Sequence, residues 1–538
     1  MVATTERPAT QRYAEWEERI LARDQVGASE VFYGLAQDER PFGEIVGELV
    51  RIHAPYTHVP YHQRLDNGIV KFVNNDHCLL SAGAALRLNR YMPRELRWLP
   101  LAQTVWYVPT GLDIWNQLIG KAPGHYVRLY KIDVNSAPPP QICWPDQEPK
   151  YLDGDLSFDE KLNHWLTLVQ RGEVLEQYRV FLGLLEQADA AERERLQAQL
   201  AFAGLIDVQD RMLFNRSYTT GHKSYRARAT IELGRLLGWE NAHSIVYAGV
   251  PDIAVGPRWY SSYEMGGNIC AMMFGDLEGQ DGALLGNTAP LRKSEQRELV
   301  DLLLHSHEPA WNLRIAELLK KGRGPKQILD VIQIAAAETI LMTGHPNNFS
   351  MSQHCYEYTN TLRWFYDTFQ HPHQVKLLFV AASIVNQAAH HQQNTPENGP
   401  TTIRRPRGAD ALSAEQILQR LAEAQLALDP DASVAWTAAY LRGGYDPAPL
   451  CRTLSTAAAK IGNDPHNQEI GLCLVEDYGH STAAERQRLL LAAATHNAGH
   501  RKYGDPLEAY RRLASALRIE TRESARGDGD PREALLDE

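Results

Sequence analysis

Residues 159–187, DEKLNHWLTLVQRGEVLEQYRVFLGLLEQ, decide the fold class. Apolar side chains recur there at three- and four-residue spacing, the period of a helix that buries one face. The next stretch, AERERLQAQLAFAGLI (191–206), repeats the pattern. Further on, HKSYRARATIELGRLLG (222–238) ends at Gly238, a helix stop. PAWNLRIAELLKKG (309–322) stops at Gly322. PKQILDVIQIAAAETILMTG (325–344) starts on Pro325, whose missing N–H costs nothing in a first turn. SQHCYEYTNTLRWFYDTF (352–369) and HQVKLLFVAASIVNQAAHH (373–391) continue the series. Five more helical stretches follow between residues 413 and 518, from SAEQILQRLAEAQLAL to PLEAYRRLASALR. The expected fold is mainly α, a multi-helical bundle or irregular helical array, with no fixed period that would mark a solenoid.

Punctuation divides the chain further. Residues 1–133 read as a mixed, loop-rich region of unknown role, in which short strands are compatible with the pattern. HAPYTHVPYH (53–62) contains two prolines and reads as a loop. Residues 134–156 form a Pro-rich linker, 157–391 a helical half carrying most candidate ligands, and 392–410 a second polar linker. Residues 411–520 form a C-terminal helical half that completes the site, and 521–538 an acidic tail. The glycine-rich run from Met265 to Lys293 reads as a long loop or lid.

The 538 residues are 44% hydrophobic and 22% charged, ordinary globular values that exclude wholesale disorder. A net charge of −11 without a dense basic stripe argues against a nucleic-acid partner. No window approaches the ~20 apolar residues of a membrane span, and Met1 to Arg12 has no secretory apolar core. Six cysteines without a CxxC spacing do not form a disulfide framework, so the expected compartment is the cytoplasm. The P-loop, the GxGxxG fingerprint, the GxSxG elbow, HExxH, CxxCH and the Rieske pattern are all missing.

The 20 histidines are the chemical signal, because imidazole is a common ligand for borderline metals. In HNQE, His466 and Glu469 stand at i and i+3, one face of a helix, with Asp464-Pro465 as its cap and first turn. By itself that spacing equally describes a surface pair. His222 stands at or near a helix start, where capping is the plainer role. His243 precedes an apolar run, like many satisfied core histidines. His354 lies about one turn into an aromatic-rich helix, on the side of Tyr358 and Phe365. A buried histidine there needs partners for both ring nitrogens, and a metal is one solution. His305, His307, His371, His373, His390, His391, His53, His58, His62 and His77 compete with these.

Four segments, in one order, resemble the questin oxidase-like family and a related set of helical proteins that sometimes accompany Rieske domains. They are MLFNRSYTTGHKSYRARATIELGRLLG (212–238), NAHSIVYAG (241–249), QHCYEYTNTLRW (353–364) and NDPHNQEIGLCLVEDY (463–478), within a match over about residues 160–515. The resemblance implies a mononuclear non-haem iron held by four histidines and a carboxylated lysine. Carried over, the histidines are His222, His243, His354 and His466, and the lysine position falls on Glu469. Glutamate presents a carboxylate directly on a shorter arm. The implied cofactor is Fe(II), with Mn, Ni or Zn compatible with the same nitrogen and oxygen donors, and dioxygen as co-substrate.

Tyr218, Tyr225, Tyr247, Tyr358 and Trp364 lie near these residues in sequence; they either meet an aromatic substrate or fill the core. Tyr225 and Tyr358 are the candidate catalytic residues. The expected activity is oxidation of an aromatic or polycyclic small molecule, with oxidative ring cleavage in secondary metabolism suggested by the resemblance alone. A metal-dependent hydrolase or lyase and a non-catalytic helical scaffold are the alternatives.

Overall fold

The computed structural model describes residues 9–54, 59–65, 68–73, 77–111, 148–206, 221–254, 261–275, 282–462, 465–501 and 504–519. Among them the regular structure is helical, apart from one hairpin and an isolated bridge between Ala289 and Arg323. The first helices are α1 (Ala9–Leu21), α2 (Gln25–Gln37) and α3 (Phe42–His53). The antiparallel hairpin β1 (Val59–Leu65) and β2 (Gly68–Val73) follows, then α4 (Cys78–Leu88) and α5 (Leu99–Gly111). The middle of the chain forms α6 (Phe158–Arg171), α7 (Val174–Gln187), α8 (Ala190–Ile206), α9 (His222–Leu237) and α10 (His243–Ile253). Next come α11 (Ser261–Phe274), the short α12 (Gly282–Leu285), α13 (Lys293–His305), α14 (Ala310–Lys320), α15 (Pro325–Leu341), α16 (Ser350–Thr368) and α17 (Gln374–Gln393). The C-terminal part adds α18 (Ala414–Leu426), α19 (Pro430–Arg442), α20 (Pro447–Lys460), α21 (His466–His480), α22 (Gln487–Gly499) and α23 (Glu508–Ala516).

Local chemistry explains the boundaries. Ser157 and Glu160 form a reciprocal capping box that starts α6, and Gly172 in the left-handed region ends it. Pro325 opens α15 in its first turn, and Gly238 follows α9 with φ of 78°. The first 133 residues are more regular than their sequence suggests: five helices and the hairpin account for most of their described part. Pro60 sits inside β1, where the ladder shifts register between Pro60 and Gln63. A two-stranded sheet has only edge strands, and an edge tolerates a residue without an N–H. The Met265–Lys293 run also departs from the loop expectation, since α11 and α12 occupy much of it. A Cβ on Gly266 would sit 3.1 Å from the Lys376 carbonyl oxygen, so the glycine there lets α11 press on α17. Within the first linker, residues 134–147 lie outside the described residues, as does the tail 521–538.

The interior helices α15, α16 and α17 are buried on nearly every side. Around them one hydrophobic core runs from Trp16 through Trp165, Trp311 and Phe365 to Leu513. Four helices form a closed ring within it: α4 packs on α9, α9 on α16, α16 on α21, and α21 back on α4. Small residues set its spacing. A Cβ on Gly83 would lie 2.8 Å from the Ala229 Cβ, so α4 and α9 meet almost backbone to backbone.

Polar ties lock the ring. The buried Arg87 of α4 pairs with Glu232 of α9 at 3.2 Å and with Glu476 of α21 at 2.8 Å. Arg228 reaches Glu476 at 3.3 Å and donates to Asn360 of α16 at 2.8 Å. Gln468 of α21 donates to Ser81 of α4 at 2.7 Å, and Ser81 bonds Thr104 of α5 at 2.9 Å. Such networks are costly to bury and costlier to break, because losing one partner strands a desolvated charge.

Replacing Gly83 by Val should destabilise the protein by about 1–3 kcal/mol, because neither Ala229 nor the helix backbone can rotate away. Urea unfolding of the two proteins checks this; an unchanged midpoint would contradict the close approach. Buried Asp477 supplies a pH signature. Burial, with Glu476 beside it, pushes its carboxyl up to about 7. The folded chain therefore keeps this proton through a range, about pH 4 to 7, in which the unfolded chain has lost it, and stability contributed by this group falls as pH rises. Asp477→Asn removes that loss, so its stability relative to wild type should grow between about pH 4 and 7 and level off above that range in denaturant titrations.

Candidate metal centre

Three histidines from three helices turn their Nε2 atoms to one point. His222 is the first residue of α9, His354 the fifth of α16 and His466 the first of α21. The Nε2 atoms of His222 and His354 are 2.8 Å apart, those of His354 and His466 3.2 Å, and those of His222 and His466 3.3 Å. All three side chains are buried, 3–5% exposed. With metal–nitrogen bonds of about 2.0–2.1 Å, ligands at right angles around one ion lie about 3.0 Å apart and tetrahedral ones about 3.4 Å. The observed spacings fall close to that interval.

The protonation pattern agrees. His354 Nδ1 lies 2.6 Å from the Ser350 carbonyl oxygen, which can only accept. The Nδ1 therefore carries the hydrogen, and the Nε2 of the neutral ring presents a lone pair to the centre. Burial holds His222 well below its usual pKa, with the neighbouring histidines adding to the shift, so its imidazole is neutral and ligand-ready. Two N–H donors could in principle share the His354 lone pair. Buried carboxylates converge on the same rings. Glu357 belongs with these three histidines, and Glu469 forms a second set with His466 and His77; both glutamates are 0% exposed. Neutral imidazoles with buried carboxylates make a donor set for a divalent transition metal.

Backbone geometry makes the approach possible. Gly221, directly before His222, has φ of 82° and ψ of −43°, a combination that side chains resist. A Cβ there would stand 2.5 Å from the His354 carbonyl oxygen and 2.8 Å from Glu357 Oε2. Only a glycine lets the start of α9 lie against α16.

His77 completes the histidine group. It stands at the N-terminal boundary of α4, and its ring centroid is 4.7 Å from that of His222 and 4.6 Å from that of His466. His243 stands elsewhere: it begins α10 on an exposed turn and joins neither ligand group. The fourth histidine is thus supplied from the N-terminal region rather than from NAHSIVYAG. An isolated histidine before CLLSAGAALRL carries no periodic signal, which is why His77 stood only among the competing histidines on sequence grounds. Glu357, at i+3 from His354, repeats the His466–Glu469 spacing and could have been found by that rule.

The remaining candidates sort by their hydrogen bonds. Tyr225 is fully buried, and its phenol oxygen accepts from Arg87 Nη2. Burial drives its pKa well above normal, and Glu469 is near enough to push in the same direction, so the phenol stays protonated. Tyr358 departs from its expected catalytic part: its OH donates to the Leu205 carbonyl at 2.8 Å, which ties α16 to α8. Tyr247 packs edge-on against Tyr178, and Tyr218 lies outside the described residues. His371 stacks on Phe202 at 4.1 Å and shares its Nε2 hydrogen with Gln199, a structural pairing. His307 stacks on His390 at 4.3 Å. His305, His307 and His373 belong to neither ligand group.

His77→Ala should lower the metal bound per chain, whereas His243→Ala should leave it unchanged; elemental analysis of both purified variants decides between the two positions. The reverse outcome would return the fourth ligand to α10. No family model, curated protein or solved structure matches this chain.

Proposed function

We propose that this chain is a non-haem iron-dependent oxygenase acting on an aromatic or polycyclic small molecule, with dioxygen as co-substrate. The observation that carries the reading is the convergence of three buried Nε2 atoms within 3.3 Å, flanked by buried carboxylates. Nitrogen and oxygen donors in this mixture suit Fe(II), with Mn, Ni or Zn as competitors. Fe(II) held there would supply the one-electron chemistry that dioxygen needs to react with an organic ring. Oxidative ring cleavage is the reaction that the family resemblance adds.

The chain's own residues have separable tasks. Ser350 holds His354 in the tautomer that offers Nε2. Gln468, Ser81 and Thr104 hold the start of α21 against α4 and α5, which keeps His466 and His77 in register. Tyr225, kept protonated by burial and oriented by Arg87, can deliver a proton toward the Glu469 side of the centre. The buried helices around the site exclude bulk water, which strengthens each of these interactions.

Oxygen-electrode measurements test the reading. Protein stripped of metal and reloaded anaerobically with Fe(II) should consume oxygen when offered polyhydroxylated aromatics. Zinc-loaded protein and His354→Ala should not. Stoichiometric zinc in protein purified without chelator, together with no oxygen uptake after iron loading, would favour the hydrolase reading instead.

A further inference from the structure

The six converging side chains do not form one ligand set. His222, His354, His466 and Glu357 make one group whose donor atoms all lie within 4.8 Å of one another, and His77, His466 and Glu469 make another. Donors on a single ion are separated by at most twice a bond, about 4.4 Å for opposite ligands. The two groups share His466 and do not merge into one set at that spacing. A single ion on the first group would leave His77 and Glu469, both buried, converging beside it with no part in its coordination.

The arrangement on the helices has its own logic. α16 and α21 each carry His-x-x-Glu, His354 with Glu357 and His466 with Glu469, so each presents an imidazole and a carboxylate on one face. The start of α9 and the cap of α4 each add one histidine. These four helices are the ones that close the packed ring. Helical bundles hold a pair of metal ions with Glu-x-x-His on each of two helices and a single glutamate from each of two others; here the motif order is reversed and the single ligands are histidines, but the distribution of donors over four helices is the same. Each carboxylate has two oxygens, so a glutamate can serve both ions.

We propose that this centre binds two divalent transition-metal ions. One is held by His222, His354, His466 and Glu357, and the second by His77 and Glu469 beside His466. The first ion is closed in by protein donors. The second has fewer, which leaves positions for water or substrate and makes it the reactive one. This inference rests on the metal reading of the same histidines.

The test is an anaerobic titration of metal-free, full-length protein with Co(II), followed by its visible absorption and by elemental analysis after dialysis. Wild type should take up about two equivalents per chain, with the second bound more weakly. Glu469→Gln, which keeps size and shape, and His77→Ala should each retain about one equivalent, with the spectrum of the tighter ion preserved. One equivalent in wild type would overturn the two-ion proposal and leave the metal reading standing. No binding at all would overturn both. Should His77→Ala fail to fold, Glu469→Gln decides: two equivalents retained in that variant would also overturn the second site.

Discussion

The structure depends on bringing three imidazole nitrogens to within 3.3 Å of one another inside a helical core. Neutral rings at that spacing need a shared proton, a cation or both, and water cannot reach them freely. The surrounding features serve this constraint. Gly221 removes the Cβ that would collide with α16. Ser350 commits one proton of His354. His77, His222 and His466 all stand at helix starts, where the positive end of the dipole favours a neutral imidazole and a neighbouring carboxylate such as Glu469.

A second layer of buried polarity surrounds the first. Arg87, Arg228, Glu232 and Glu476 join α4, α9 and α21, and Asn360 links α16 to the same group. Replacing such a network with apolar residues often costs nothing in stability, so stability alone does not account for it. Its geometric effect is specific. It fixes the mutual register of the four helices that carry the histidines, and it orients the Tyr225 phenol. A slip of one residue on α21 would rotate His466 by about 100° and turn it away from the others.

Much of this was legible in the chain. Amphipathic period, Pro325 in a first turn and Gly238 as a stop all read directly, because they are local effects of backbone geometry and hydrogen bonding. The glycines of the Met265–Lys293 run misled, because Gly266 serves close packing against α17 rather than chain freedom. Three of the four clustered histidines and Glu469 were also anticipated. His243 and His77 exchanged places: the first sits beside an apolar run yet faces outward, and the second follows a Pro-rich, irregular stretch yet faces inward.

The sequence by itself determined most of the helices after residue 157, several of their ends and the supply of metal-binding side chains, since these follow from interactions within a few residues. Which histidines meet was decided only by tertiary packing. His77 and His466 are separated by most of the chain, and nothing local distinguishes a histidine that will be buried beside another from one that will face solvent. That choice is made by how closely α4, α9, α16 and α21 approach, and the approach is set by Gly83, Gly221 and the buried ion pairs acting between helices.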